Sequence, residues 1–482
     1  MTVAESLVDL ESVRTLLAHS DPDGRLVPCD LRSLVVGSGA LGATAAAVES
    51  LVPAKPGGAR RVVVLVDETP IRRGSEDVKS AVLEMLAADS ETQLVVLTDG
   101  HAELHVTEQV VDGAIEACRG ADVVVAVGGG TISDIGKLAA AALPGLPVVT
   151  VMTAASVDGY TDNVSVTLKD GVKRTVPSVW PDVVIADAET VAGAPARMNR
   201  AGYGEMTSMY VAPADWRLAS LIGVDTSFHP GPIRLLDALS AELDACASGV
   251  GTGEPQAVQR LTWALALRGI ATGVAGSTAC LSGVEHLVSH MLDLRAAQLG
   301  LATGLHGEQV GAGSVVAACA WEMLRDRLAG ARMPAVVTPV DPDAAQVRVR
   351  EAFARLDPSG HIADECWRDY SRKLDRTAAA HEQISAVVAD WGRHDSEVAR
   401  LVRPARVIAA GLQAAGTPAL LVDLGPDVDA GTARWAVENC ALMRDRFTVV
   451  DLLTLLGWWE TDDVDELLAR VDAAVVSDRM SP

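Results

Sequence analysis

The segment Asp122-Val-Val-Val-Ala-Val-Gly128-Gly129-Gly130-Thr131-Ile-Ser-Asp134-Ile-Gly-Lys137 limits the fold more than any other. An uninterrupted apolar run ends in three glycines, and a helical pattern follows. A strand that is apolar on both faces needs cover on both faces, as in a parallel sheet flanked by helices. Similar short runs occur at Ser33–Gly37, Arg61–Asp67, Gln93–Asp99, Pro147–Met152, Val164–Leu168 and Val183–Asp187. Helical periodicity fills intervals such as Glu76–Ala87 and Thr107–Cys118. This alternation predicts a doubly wound α/β domain over residues 1–195. Beyond it, helical patterns dominate at Met198–Leu221, Ala257–Ala275, Gly283–Gln298 and Gly311–Leu328. Residues 196–482 are therefore expected to form an α-helical domain, with one late strand at Ala419–Asp423. Thr226–Pro232, Ser248–Pro255 and Met333–Pro342 read as loops.

Composition narrows the function. Lys and Arg number 40 against 64 Asp and Glu, and the net charge of −24 opposes a nucleic-acid footprint or a polybasic membrane patch. The seven cysteines are scattered without a CxxC pair, as free thiols in a reducing compartment are. The acidic, amphipathic start MTVAESLVDLESVRTLL lacks the basic lead of a signal peptide. The apolar stretch Leu138–Ser156 contains Pro144, Gly145 and Pro147, which reads as a buried element and not a membrane span. The expectation is a cytoplasmic protein whose partner is a small molecule, with no nucleic acid and no membrane.

Two constellations carry chemistry. Gly128, Gly129 and Gly130 let the backbone approach a pyrophosphate, and the helix that follows offers free N–H groups to an anion. The alternative is a tight strand–helix turn. Asp67, at a strand end, suits a ribose that favours NAD over NADP, or else a helix cap or turn acid. Farther on, His286 and His290 stand four apart on one helical face, and His306 follows sixteen residues later. With a carboxylate from Glu205, such imidazoles make the three-ligand site with an open position that catalytic zinc uses. The competing reading is a histidine pair on a core face.

Ordered motifs extend along most of the chain. They include Val127–Asp134, Thr153-Ala-Ala-Ser156-Val-Asp158-Gly159-Tyr160-Thr161, Asp170-Gly-Val-Lys173-Arg-Thr175-Val-Pro177 and Val184-Ile-Ala-Asp187. Ala201-Gly-Tyr-Gly204, Ala214-Asp215-Trp216, Ser282-Gly…Glu285-His286…His290 and His306-Gly…Val310-Gly311 follow in order. Cys366-Trp-Arg-Asp-Tyr370 and Met443-Arg-Asp-Arg446-Phe447-Thr448 come last. In these the sequence resembles the bacterial type of glycerol-1-phosphate dehydrogenase, within the iron-containing alcohol dehydrogenase and dehydroquinate synthase-like superfamily.

The resemblance implies a Rossmann-like parallel-sheet domain, a C-terminal all-α metal-binding domain and a site in the cleft between them. It implies reduction of dihydroxyacetone phosphate to sn-glycerol 1-phosphate with NAD(H) or NADP(H), NAD being favoured by Asp67. It implies one divalent metal, zinc first and nickel as the alternative, and a homodimer. Residue by residue, His286 and His306 become metal ligands, and Glu205 stands where the family has an aspartate ligand. Gly128, Gly129, Gly130, Thr131, Asp134, Thr153 and Ser156 fall on the cofactor side. Asp158 falls beside the substrate hydroxyl, and His290 near the nicotinamide and substrate.

Two family cations are missing. Met209 stands before Tyr210 where a lysine is usual, and Ser277-Thr-Ala279-Cys280-Leu281-Ser282-Gly283 lacks an arginine. Lys173 is then the expected phosphate anchor, and a related unphosphorylated ketone or polyol is the alternative substrate. A dehydroquinate-synthase-like cyclase is the third reading. Ser156-Val-Asp-Gly-Tyr-Thr161 stands against it.

Overall fold

A computed structural model describes residues 9–53, 59–101, 103–169, 172–302, 304–330 and 335–476. The apolar runs become β1 (Ser33–Gly37), β2 (Arg60–Val66), β5 (Ser90–Val96), β6 (Val123–Gly128), β7 (Val148–Met152) and β10 (Val183–Asp187). They form one six-stranded sheet in the order β1-β10-β7-β6-β2-β5, and every neighbouring pair is parallel. Short β3 (Arg72–Arg73) and β4 (Glu76–Asp77) pair antiparallel. So do β8 (Val164–Lys169) and β9 (Val172–Pro177), which form a hairpin outside the main sheet.

Alternate residues of β2 and β6 serve opposite faces, which is why these strands are continuously apolar. Val62, Val64, Val66, Val123, Val125 and Val127 pack with Val78, Val82 and Leu86. Val63, Leu65, Val124 and Ala126 pack on the other side with Val110, Ala114, Ile132, Ile135 and Ala139. Each buried valine contributes roughly 1.5–3 kcal/mol of transfer free energy, so a polar residue in either register would be expelled. Strand β2 has β5 on one side and β6 on the other, so the winding reverses there. The glycine loop leaves the carboxyl end of β6 at this switch point, where open α/β sheets receive ligands.

The chain divides into two compact units, Met1–Tyr203 with Pro230–Gly276, and Gly204–His229 with Ser277–Pro482. The partition is interleaved and not a single cut at 195. The helix Pro255–Ala275, grouped by sequence with the helical half, belongs to the sheet-bearing unit. In the second unit the helices Val284–Leu299 and His306–Gly330 pack side by side. A Cβ on Gly313 would stand 2.7 Å from the Glu285 carbonyl oxygen, so only glycine permits this approach.

Several expected elements differ. The strand expected at Gln93–Asp99 is Ser90–Val96, because its ladder runs from Arg60↔Ser90 to Val66↔Val96 on an exposed edge that tolerates polar residues. The strand expected at Ala419–Asp423 is a single 3-10 turn at Leu421–Asp423, and no strand of the sheet lies in that unit to pair with it. The single helix expected over Met198–Leu221 is broken. It runs Ala196–Met206, tightens to a 3-10 turn at Thr207–Tyr210 and restarts at Ala212, with Pro213 in the first turn. The loops expected at 226–232 and 248–255 are partly helical, in Pro230–Asp237 and Ser240–Thr252. Among the described residues no helix is long and apolar enough to cross a membrane.

Candidate functional site

In the sheet-bearing unit, Gly129 caps the helix Gly130–Ala142 and supplies no side-chain acceptor to its first turn. The N–H groups there are left for an anion. A Cβ on Gly128 would collide with Ile132, one on Gly130 would lie 2.7 Å from Val157, and one on Gly129 would meet nothing within 4 Å. The flanking glycines therefore serve close packing, while Gly129 is the open one. Thr131 follows it in the first turn, and Thr153 is tied to the loop through its N–H on the Gly128 carbonyl at 3.2 Å. Ser156 is buried, and the nearby Tyr160 hydroxyl donates to the Ala154 carbonyl at 3.1 Å.

Asp134 faces inward. One carboxylate oxygen lies 3.1 Å from Lys137 Nζ, and the other accepts the Val166 N–H at 3.0 Å. Lys137, with no exposed surface, also donates to Asp162 at 2.6 Å and to the carbonyls of Gly159 and Val164. This network pins the loop helix to the 159–166 segment. Asp67 accepts the Thr69 N–H and hydroxyl and pairs with Lys79 at 3.5 Å, the geometry of a turn acid.

Asp158 forms an ion pair with Arg268, which sequence reasoning missed. The signal was present: Arg268 is the sole charged residue between Leu261 and Ala275, and it is buried. Gly269 beside it lets the helix approach, since a Cβ there would lie 2.3 Å from Thr161 Oγ1 and 2.4 Å from the Asp158 carbonyl oxygen. Lys173 lies on β9, and its side chain is outside the described residues.

In the second unit, Glu205, His286 and His306 converge. Glu205 Oε1 lies 3.4 Å from His286 Nε2, its Oε2 lies 3.7 Å from His306 Nε2, and one atom from each residue falls within 4.8 Å of the others. Glycine again sets the approach: a Cβ on Gly204 would stand 2.2 Å from the Gly307 carbonyl oxygen. The two backbones thus touch one residue away from Glu205 and from His306.

The hydrogen bonds fix which ring nitrogen faces inward. Glu285, fully buried, holds His286 Nδ1 at 2.8 Å and accepts the Gly283 N–H at 2.7 Å. Ser289 donates to Gln309 Oε1 at 2.7 Å, so its oxygen accepts from His306 Nδ1 at 3.0 Å. Both imidazoles therefore carry their proton on Nδ1 and present the Nε2 lone pair toward Glu205, the usual arrangement behind a metal-ligating histidine. Burial pulls the His286 pKa down, but Glu205 and Glu285 outweigh it and raise it, so a proton and a metal compete for this ring. His290 borders the group, with its ring 6.3 Å from His286 and 6.0 Å from His306.

Behind Glu285 sits Asp215, which accepts the Val284 N–H at 3.1 Å and the Val449 N–H at 2.9 Å. Burial and the Glu285 charge push it well above the carboxylate range. Sequence spacing gave no sign of this pairing, because folding brings the two acids together across seventy residues. Two imidazoles and a carboxylate suit zinc and other first-row ions of similar softness.

The family model for iron-containing alcohol dehydrogenases matches residues 35–195. A glycerol-1-phosphate dehydrogenase [NAD(P)+] of Natronomonas pharaonis is 32% identical over 355 residues, covering 73% of this chain and 89% of that protein. The chain belongs to the iron-containing alcohol dehydrogenase and glycerol-1-phosphate dehydrogenase family. A bacterial relative of the same name, from Bacillus licheniformis, is 32% identical over 275 residues, covering 56% of this chain and 67% of its own. The family fold extends through both units. A probable glycerol dehydrogenase from Sinorhizobium meliloti superposes with a TM-score of 0.56 at 18% identity, covering 92% of this chain and 97% of that one. Glycerol dehydrogenase from Schizosaccharomyces pombe gives 0.58 at 14% identity, covering 93% and 92%. The chain is thus an oxidoreductase of this family.

Proposed function

We propose that this oxidoreductase reduces dihydroxyacetone phosphate to sn-glycerol 1-phosphate with NADH or NADPH at a single divalent metal, zinc before nickel. The observation that carries the reading is the convergence of His286 Nε2, His306 Nε2 and the Glu205 carboxylate, with both Nδ1 atoms already committed. When bound, the metal supplies Lewis acidity at the substrate carbonyl and the nicotinamide supplies the hydride.

The chain's own residues do the rest. Glu285 and the Ser289–Gln309 pair orient the two imidazoles, and Glu205 provides the anionic ligand. The first turn after Gly129 receives the pyrophosphate, and Thr131, Thr153 and Ser156 complete that side. Asp158, oriented by Arg268, accepts from the substrate hydroxyl, and His290 returns a proton to the reduced carbonyl oxygen. Asp67 favours NADH by binding ribose hydroxyls, although its Thr69 and Lys79 contacts would have to be shared.

A second reading, the same chemistry on an unphosphorylated ketone, is favoured by Met209 and Ala279, both buried apolar side chains in segments where the family carries cations. NADH oxidation by the metal-loaded protein separates the two. Turnover of dihydroxyacetone phosphate, abolished by chelation, is the expected result. Turnover of dihydroxyacetone or another unphosphorylated ketone alone would overturn it.

A further inference from the structure

The second unit holds a cavity of about 140 Å³ that Ala279 lines but none of Glu205, His286, His290 and His306 does. Where about 10–15 Å³ on this measure admits one water, that is room for a solute of several heavy atoms. Its walls include Ser277, Trp216 and Phe447, and three cations from two separate segments, Lys373, Arg376 and Arg446. In a chain with 40 basic and 64 acidic residues, such convergence runs against composition. Two carboxylates, Asp225 and Asp445, line the cavity as well. Asp225 is engaged by the Ser227 N–H and hydroxyl, and Asp445 by Arg376 at 3.7 Å and Arg372 at 4.0 Å.

Arg446 is the decisive member. Its guanidinium donates to the Ser282 carbonyl and hydroxyl and to Thr278 Oγ1, which uses three of five N–H donors. Among the described residues no carboxylate lies within ion-pair distance of it. Burial lowers its pKa, with Glu285, Asp445 and Asp215 opposing from farther away. Lys373 spends two of three donors, on the Ala441 carbonyl and Asp451, each at 2.6 Å. Lys373 is paired with Asp451 and Arg376 with Asp445, but Arg446 keeps two donors beside an open volume, with no carboxylate partner among the described residues. A buried guanidinium in this state is a usual partner of phosphate oxygens.

We propose that this cavity binds a phosphate-class anion through Arg446, Arg376 and Lys373. The anion is either the phosphate of the substrate or free inorganic phosphate. The first source rests on the reductase reading above; the second does not.

The test is titration of the metal-loaded protein with inorganic phosphate at constant ionic strength, followed by calorimetry, with chloride as the control anion. Arg446 also holds the Ser277–Gly283 turn, so Arg446→Met is accompanied by the half-exposed Arg376→Gln, and both are checked for native melting. Saturable phosphate binding, weakened about tenfold or more in Arg376→Gln, is expected. If phosphate also competes with dihydroxyacetone phosphate and Arg376→Gln raises the KM for that substrate but not for dihydroxyacetone, the occupant is the substrate's own phosphate. If phosphate binds without competing, or no phosphorylated triose is turned over at all, the site is one for free phosphate and still stands. No phosphate binding to the native protein, or equal binding by natively melting variants, would overturn the proposal.

Discussion

Two polar clusters, one in each unit, are each built around buried carboxylates and do opposite things. In the sheet-bearing unit Asp134 and Asp162 enclose Lys137, whose ammonium reaches both carboxylates and two carbonyls. In the second unit Glu205 is enclosed by two imidazoles whose outer nitrogens are already satisfied. The first cluster contains its own permanent cation and is closed. The second gathers lone pairs toward one point and lacks a permanent cation. The acids are buried in both, so burial of acids does not by itself mark a functional centre. What marks it is whether the protein supplies the positive charge.

The largest test of this contrast lies in the second cluster. His286→Ala or His306→Ala removes one of the three proposed ligands, and metal content measured by elemental analysis should fall to under about a tenth of an equivalent. Full metal content in both variants would break the comparison. Next is Lys137→Met, which strips the cation from the closed cluster and leaves two buried carboxylates facing each other. Loss of one partner from a buried ion pair typically costs about 3–5 kcal/mol, to be read from denaturant unfolding of the sheet-bearing unit. An unchanged midpoint would show that the cluster is not closed by Lys137.

A smaller effect is expected from Glu285→Gln, which keeps an acceptor for His286 Nδ1 and removes its charge. Chelator competition should show metal affinity down by about 10–100-fold with the unfolding midpoint little changed. The last concerns the pH dependence set by Asp162. Burial pushes its carboxyl up to about 7, with Lys137 opposing and Asp158 and Asp134 adding to it. The folded state then holds this proton more tightly than the unfolded state, whose value is the ordinary 3.8. Between about pH 4 and 7 stability should therefore fall as pH rises, by up to roughly 1.4 kcal/mol per pH unit for one proton. Asp162→Asn should flatten that slope, and an unaltered slope would assign the proton elsewhere.

The contrast also explains what the sequence displayed and what it hid. Strands β6 and β10 were legible because their residues are buried on both faces, and the glycine loop because its parts are contiguous. Strand β5 was misplaced by three residues because its edge position lets Ser90, Glu91 and Gln93 into the ladder. The Ala419–Asp423 run looked extended, yet an apolar stretch is satisfied equally by packing among helices. The histidines announced themselves by the His286/His290 spacing with His306 beyond it, and Glu205 by resemblance to a family aspartate. Their supports did not. Glu285 was seen only as part of a motif, and Asp215, Arg268 and Arg446 reach their partners across long stretches of chain. No local period encodes such pairings.

The contact between Gly204 and Gly307 has a consequence for which ions the centre accepts. Backbone meets backbone there, and Gly311 adds a third point, its own Cβ position lying 3.0 Å from Gly204 Cα. Helices that already touch have no slack for closing around a smaller ion. The bite of the site is therefore set by side-chain reach, and the extra methylene of Glu205 over an aspartate is its adjusting screw. A side chain at position 204 would act as a wedge at the hinge of that bite, parting Glu205 from His306 without altering either ligand. For the metal centre proposed here, ion selectivity would thus be written partly in a residue that has no side chain to coordinate anything.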